Sequence, residues 1–100
     1  MHVPWWSKRH GGALLPTANR IMATVESDQA VHIGMHLLAV CNQDGIYRST
    51  LETALIVCDC DLPTLALALG ELGELDIVTK WGVDRGWLAV EFKMQPTPPQ

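Results

Sequence analysis

The side chains best suited to chemistry in this sequence are three cysteines and a histidine pair. The cysteines are Cys41, Cys58 and Cys60, and His32 and His36 stand four residues apart. Thiolates and imidazoles bind soft transition metals, and a helix places residues i and i+4 on one face. The histidine pair has no third ligand at short range. We therefore predict no metal site and no cofactor, with two cysteines in the core, one at a turn and the histidines on the surface.

Catalytic signatures are missing from the sequence. It contains no phosphate-binding loop of the G-x-x-x-x-G-K-[ST] type, no H-E-x-x-H motif and no nucleophile with a base and an orienting partner. Gly70 and Gly73 fall within a predicted helix and lack the preceding strand that a phosphate loop needs. Three cysteines are an odd number, which argues against a disulfide framework. We expect no enzymatic activity.

Charge is distributed unevenly along the 100 residues. Seven Lys and Arg against eleven Asp and Glu give a net charge of −4, and the apolar content of 48% is typical of one globular domain. Residues 1–25 hold three bases and no acid, whereas all eleven acids follow. The acidic total argues against a protein that coats nucleic acid by bulk charge. The longest uncharged stretch, 29–43, is shorter than the roughly 20 apolar residues of a membrane helix, so we expect a cytoplasmic protein without a membrane span.

The two ends of the chain differ from its middle. We predict an N-terminal basic arm over 1–21, a folded domain over 22–93, and a disordered, proline-rich tail over 94–100. The arm contains Trp5 and Trp6, whose adjacent indoles would be an exposed apolar liability in solvent. We expect these two rings to dock on the domain or on a second subunit.

Apolar residues at helical spacing predict a first helix from its N-cap Ser27 to a turn beginning at Asn42. Apolar side chains extend nearly all round this helix. Such a helix lies at the centre of its core or packs against another chain.

Two further helices follow in close succession. A Ser49-x-x-Glu52 capping box predicts that the second helix begins near Thr50. The third is capped by Asp61, tolerates a proline in its first turn and runs to about Glu74. A turn of three to four residues joins them, which is typical of a helix-turn-helix.

Alternating residues then predict two strands, 77–81 and 87–93, joined by a loop over 82–86. Leu88, Val90 and Phe92 are expected to share the buried face. A very short strand over 46–48 precedes the second helix. The predicted fold is α+β and mainly helical, a winged helix-turn-helix with three helices and a two-stranded hairpin wing.

A family resemblance runs through residues 22–92. In the first helical region Thr24, Asp28, Ala30, His32, Leu38 and Ala39 fall at characteristic positions. In the third helix and the wing the matching residues are Leu65, Leu69, Leu72, Asp76, Ile77, Val78, Lys80, Arg85 and Gly86. In these residues the chain resembles small bacterial winged-helix transcriptional regulators, and among them the iron-sulphur cluster regulator family. The resemblance implies this fold and an association with DNA.

Two features depart from that family. Its cluster-binding cysteines lie beyond the wing, where this sequence has none, and its long C-terminal dimerisation helix has no counterpart in 94–100. The resemblance therefore implies no cluster here. The stretch Cys58-Asp59-Cys60-Asp61 is also similar to the Cys-x-Cys-Asp box of arsenic- and cadmium-responsive winged-helix repressors. In those proteins the box begins the first helix of the motif, whereas here the third helix follows it, so we infer no metal site from it.

The third helix has the wrong charge for a helix that reads DNA. From Asp61 to Asp76 it has four acids and no Arg, Lys, Asn or Gln, so only Thr64 could donate to a base or a phosphate. We expect a small DNA-binding transcriptional regulator whose contacts are led by the wing and the arm. The candidate DNA-binding residues are Lys8, Arg9, Arg20, Arg48, Thr64, Lys80 and Arg85.

The alternative is a winged-helix protein–protein interaction module without direct DNA readout. It would use the apolar face of the third helix, which includes Ala66, Leu67 and Gly70. The candidate interface residues are Trp5, Trp6, Met35 and Leu67. The apolar excess of the first helix and the paired tryptophans also predict a homodimer, because a chain of this length buries only roughly 65% of its unfolded surface.

Overall fold

A computed structural model describes residues 15–42 and 44–93. The predicted α+β class is confirmed, with more helix than strand and one antiparallel sheet. The elements are α1 (Leu15–Thr24), α2 (Asp28–Val40), β1 (Ile46–Thr50), α3 (Leu51–Cys58), α4 (Leu62–Glu74), β2 (Val78–Asp84) and β3 (Trp87–Phe92). From α2 onward this order is compatible with a winged helix-turn-helix.

The described chain has four helices where three were predicted, and the additional one is α1. Its residues 15–21 belong to the segment expected to be an arm, yet Ala18 and Ile21 are buried and belong to the core. Pro16 stands in its first turn, where the missing amide would have no intrahelical partner. With Val25, the two core residues form an apolar face that packs on α2.

A hydrogen bond across the fold also anchors α1. Thr17 is 2% exposed, and its hydroxyl donates to the Lys93 carbonyl at 2.8 Å, just after β3. Residues 15–21 are therefore packed with the domain. The rest of the predicted arm and the tail over 94–100 lie outside the described residues.

Two of the predicted helix caps are confirmed. The Ser27 hydroxyl accepts a hydrogen bond from the Ala30 amide at 3.3 Å, at the start of α2. Asp61 caps α4 by accepting from the Thr64 amide at 3.0 Å, and a proline stands in that first turn. Both caps satisfy amides that the first turn of a helix leaves without partners.

The predicted capping box at Ser49 is wrong. Thr50 is the N-cap of α3, and its hydroxyl accepts from the Thr53 amide at 3.2 Å. The reason is that β1 continues through Thr50, which pairs with Trp87 of β3. The extended backbone therefore ends one residue later than the box requires.

The three strands are ordered β1-β3-β2, with antiparallel pairing throughout. The predicted five-residue loop over 82–86 is also wrong, because β2 extends to Asp84 and Gly82 pairs with Ala89 inside the sheet. Only Arg85 and Gly86 form the turn. Both have positive φ, 52° and 79°, which a two-residue turn of type I′ requires.

The centre of the core is α2, which packs on α1, α3, α4 and β1. Its side chains Ile33, Leu37 and Leu38 have no solvent exposure. Gly34 allows α4 to come close, because a β-carbon at that position would lie 3.2 Å from Leu72 Cδ1. The predicted buried face of β3, formed by Leu88, Val90 and Phe92, is confirmed and closes the core from the sheet side.

The docking of α1 is tested by Thr17→Val, which keeps the size of the side chain and removes the hydroxyl. We expect it to lower the free energy of unfolding by about 0.5–1.5 kcal/mol, because the part-buried hydrogen bond from Thr17 to the Lys93 carbonyl is lost. Urea unfolding measures this. Thr24→Val is the control, since it removes an exposed hydroxyl from the same helix and should cost under about 0.5 kcal/mol. Equal effects of the two substitutions would contradict the packing of α1.

Candidate functional site

The helices α3 and α4 are joined by a tight turn that bends the chain by 82°. Asp59 ends α3 in the left-handed conformation, with φ 51°, and the Cys60 amide donates to the Leu55 carbonyl at 3.1 Å. Asp61 then starts α4. Among the described residues no single helix is long and apolar enough to cross a membrane. Taken together, α3 and α4 reach the length and apolar content of a membrane span, but the bend lies between them.

Burial of one face of each helix leaves apolar residues on the other. Ala54 and Cys58 of α3 are buried, as are Leu65, Ala68, Leu69 and Leu72 of α4. The opposite sides carry four large side chains in solvent, and we call these four the α3–α4 surface: Ile56, Val57, Leu62 and Leu67. Ile56 is 71% exposed and Leu67 is 77% exposed.

Acidic residues accompany this apolar surface. Residues 51–74 contain five acids and no base. A groove of about 610 Å³ at the turn is lined by Glu52, Leu55, Ile56, Asp59, Cys60 and Asp61. Hydrogen bonds from the Thr64 hydroxyl and then its amide lower the pKa of Asp61, which keeps this carboxylate charged. The groove therefore combines apolar walls with negative charge.

Arg20, a predicted DNA contact, is engaged within the fold. Its guanidinium donates to the carbonyls of Leu75 and Asp76 at the C-terminal end of α4. Lys93 forms an ion pair with the Asp76 carboxylate, and its hydrogen bond and charge lower the pKa of that group. Two of the seven bases in the sequence thus serve to fasten α1 and the end of β3 to α4.

Thr64 is likewise used as a cap partner, because its hydroxyl and amide both engage Asp61. Three other predicted DNA contacts, Arg48, Lys80 and Arg85, are exposed on the sheet and its turn. The Arg48 guanidinium lies over the Trp87 ring, 5.7 Å from the centroid. Arg48 and Arg85 border one groove, but Asp84 and Glu91 border it as well. Lys8 and Arg9 lie outside the described residues.

The predicted interface residues that the structure describes differ in exposure. Leu67 is exposed, whereas Met35 is half-buried and packs against the core. Trp5 and Trp6 lie outside the described residues. Ile56 and Val57 were not predicted as interface residues. The helical spacing of the predicted buried positions already placed both of them on the opposite side of α3.

The structure assembles no metal centre from the described part of the chain. No group of three or more His, Cys, Asp or Glu side chains comes together there in a way that could hold an ion. His32 and His36 are exposed neighbours, with ring centroids 4.1 Å apart, and Nδ1 of His36 lies 2.9 Å from the His32 carbonyl oxygen. No disulfide joins the three cysteines, and the Cys41 thiol donates to the Leu38 carbonyl at 3.1 Å. Burial raises the pKa of Cys41 and of Cys58 to about 11, so both stay protonated at neutral pH.

No protein-family model, curated protein or solved structure matches the chain. The resemblance to the iron-sulphur cluster regulators therefore stays a prediction. The candidate site rests on the exposure and charge of the α3–α4 surface.

The thiols should differ in reactivity. Burial, followed by the charges of Asp61 and Asp59, raises the pKa of Cys60, but its side chain is partly exposed, unlike those of Cys41 and Cys58. We expect iodoacetamide to modify Cys60 first, at a rate that rises with pH because the thiolate is the nucleophile. Mass spectrometry of the folded protein measures this. Cys60→Ser should abolish the fast modification and Cys58→Ser should leave it; equal rates at all three thiols would contradict the burial pattern.

Proposed function

We propose that the chain is a protein–protein interaction module of the winged helix-turn-helix type, which binds a partner protein through the α3–α4 surface. The order of elements from α2 to β3 supports this fold, as does the strand order β1-β3-β2. In such a fold the second helix of the motif, here α4, is the one that meets a binding partner.

The observation that carries the proposal is the chemistry of the exposed side of α4 and α3. A helix that enters the major groove needs donors for phosphates and base edges. Here that side presents Leu62 and Leu67, and Ile56 and Val57 are exposed on α3. Ile56 borders the groove at the turn, whereas Leu67 borders a second groove beside Ser27 and Gln29 at the start of α2. Exposed aliphatic groups on two consecutive helices are typical of a surface that another protein covers.

The acidic residues around the groove indicate the charge of the partner's binding surface. An interface has an apolar centre and a polar rim, and its partner presents the complementary potential. Glu52, Asp59 and Asp61 surround the apolar groove at the turn. The partner should therefore insert an apolar side chain at the groove and surround it with Lys or Arg.

Single substitutions at the surface test this proposal. A photo-reactive residue at position 56 identifies the partner in the source cell, and the purified pair then gives a dissociation constant. We expect Leu67→Asp and Ile56→Asp each to weaken binding by about 2 kcal/mol, or roughly thirtyfold, because each places a charge at the apolar centre.

The matched control is Val40→Asp, which changes an aliphatic residue of comparable exposure at the end of α2. It should leave the affinity unchanged. Binding should also weaken as salt is raised, because the rim is charged. A purified partner that binds Leu67→Asp and Ile56→Asp as tightly as the unaltered chain would refute the proposal.

DNA binding led by the wing is a second candidate, favoured by the exposure of Arg48, Lys80 and Arg85. These bases lie on the sheet and its turn, where Asp84 and Glu91 border the same groove as Arg48 and Arg85. Backbone contacts from a wing position a protein on DNA without reading its sequence.

This candidate predicts salt-dependent binding to duplex DNA from the region upstream of the gene. Lys80→Ala or Arg85→Ala should each lower the slope of log affinity against log salt by about 1, which fluorescence anisotropy measures. Leu67→Asp should leave this affinity nearly unchanged, which separates the two candidates. Absence of binding at low salt would exclude the DNA function.

A further inference from the structure

The strand β2 is an edge of the sheet with no neighbour on its outer side. Its only strand partner among the described residues is β3, and every residue after Val78 is exposed. An unpaired strand edge offers backbone donors and acceptors to another strand. A register shift falls between Val78 and Lys80, so the regular part of β2 runs from Lys80 to Asp84.

The sequence of this edge is complementary to itself in antiparallel orientation. With Gly82 placed opposite a second Gly82, Lys80 faces Asp84 of the other copy and Trp81 faces its Val83. Opposite charges and an aromatic ring beside a β-branched residue are both favourable cross-strand pairs. An in-register parallel pairing would instead oppose lysine to lysine and aspartate to aspartate.

The faces of the strand agree with this register. Lys80, Gly82 and Asp84 pair with Glu91, Ala89 and Trp87, so they share the outer face of the sheet. Trp81 and Val83 pair with Val90 and Leu88, on the face turned toward the helices. Both are nonetheless partly exposed, 36% and 43%, because the end of the wing extends past the core. A second strand would bring each of the four side chains opposite its complement.

The backbone points the same way. In a hairpin with a two-residue turn, the residues that flank the turn form a hydrogen-bonded pair, and hydrogen-bonded pairs alternate along the strand. Asp84 therefore directs its amide and carbonyl toward β3, as do Gly82 and Lys80. Trp81 and Val83 direct theirs to the open edge, and the proposed register makes these two residues exchange hydrogen bonds with each other's copies.

Lys80 and Asp84 are available for this pairing. The ion pair found among the described residues joins Lys93 and Asp76, and neither Lys80 nor Asp84 takes part in it. Gly82, at the centre, has no atom within 4 Å of the place where a β-carbon would lie. The outer face of the sheet is therefore open at Gly82.

We propose that the chain forms a symmetric homodimer in which β2 pairs antiparallel with β2 of a second copy, about a twofold axis at Gly82. The two sheets become one of six strands. This interface differs from the one predicted from the first helix, most of whose apolar residues lie in or against the core, and it leaves the α3–α4 surface uncovered.

Charge reversal tests the dimer and its register. Analytical ultracentrifugation of the full chain should give about 22 kDa, twice the chain mass of 11.0 kDa. Lys80→Glu and Asp84→Lys should each weaken dimerisation about tenfold or more, since like charges then face each other at two places. An equimolar mixture of these two variants should restore the dimer, because both cross-strand pairs are again opposite in charge. Glu74→Lys, a charge reversal on exposed α4, should leave dimerisation unchanged.

A cysteine at the axis gives a second measurement that does not depend on charge. Gly82→Cys in a Cys60→Ser background should form a disulfide-linked dimer under mild oxidation, because the two introduced thiols face each other. Lys80→Cys in the same background is the matched control, since its copies lie two residues to either side of the axis. Circular dichroism establishes that each variant is folded.

The outcomes are distinct. Restoration by mixing, or crosslinking at 82 and not at 80, supports the β2 interface. A chain that stays at 11 kDa at all concentrations, or a dimer that neither charge reversal weakens and that crosslinks equally at 80 and 82, overturns it. If a terminal segment of the chain covers the edge instead, the protein is monomeric and the proposal fails.

Discussion

The close packing of α2 against α4 at Gly34 decides what this molecule shows to solvent. Leu72 lies where a β-carbon on residue 34 would crowd it, so α4 is held with Leu65, Ala68, Leu69 and Leu72 turned inward. A helix with four of its apolar residues fixed inward must present the remaining ones outward. Leu62 and Leu67 are therefore exposed as a consequence of core packing. A β-carbon at residue 34 would lie 3.2 Å from Leu72 Cδ1, so the side chain of Leu72 would have to move aside by a few tenths of an ångström.

The same packing determines the use of the positive charges. The C-terminal end of α4 leaves carbonyls without intrahelical partners, and Arg20 donates to two carbonyls there while Lys93 pairs with Asp76. Cations at this end also meet the negative end of the helix dipole. Arg20, which the sequence alone offers to DNA, thus completes the fold instead. Part of the acidic excess lies at the turn between α3 and α4, where Glu52, Asp59 and Asp61 border the same groove as the exposed Ile56.

The sequence predicted this structure best where local chemistry decides it. Ser27 and Asp61 cap helices because their side chains reach amides three residues away, and tertiary contacts do not compete there. At Ser49 the pairing of β1 with β3 extended the strand and moved the cap to Thr50. The helix α1 was not predicted, because residues 1–21 were assigned to a basic arm, although Ala18, Ile21 and Val25 have helical spacing. Which residues of α3 are exposed depends on the face that packs against the core. Tertiary contacts determine that face, and the local sequence does not.

Whether Gly82 belongs to a loop or to a strand decides whether the wing has a regular edge. As a loop glycine it would separate two short strands and leave the wing with no regular edge. As a strand residue paired with Ala89 it extends β2 to Asp84 and becomes the centre of a self-complementary edge. That edge and the α3–α4 surface are formed by different elements, so pairing two copies would hold two α3–α4 surfaces in one particle. A partner that presents two sites would then bind with an affinity set by the geometry of the pair, beyond what one surface provides. The proposed dimer would in this way strengthen the contact that each α3–α4 surface makes singly.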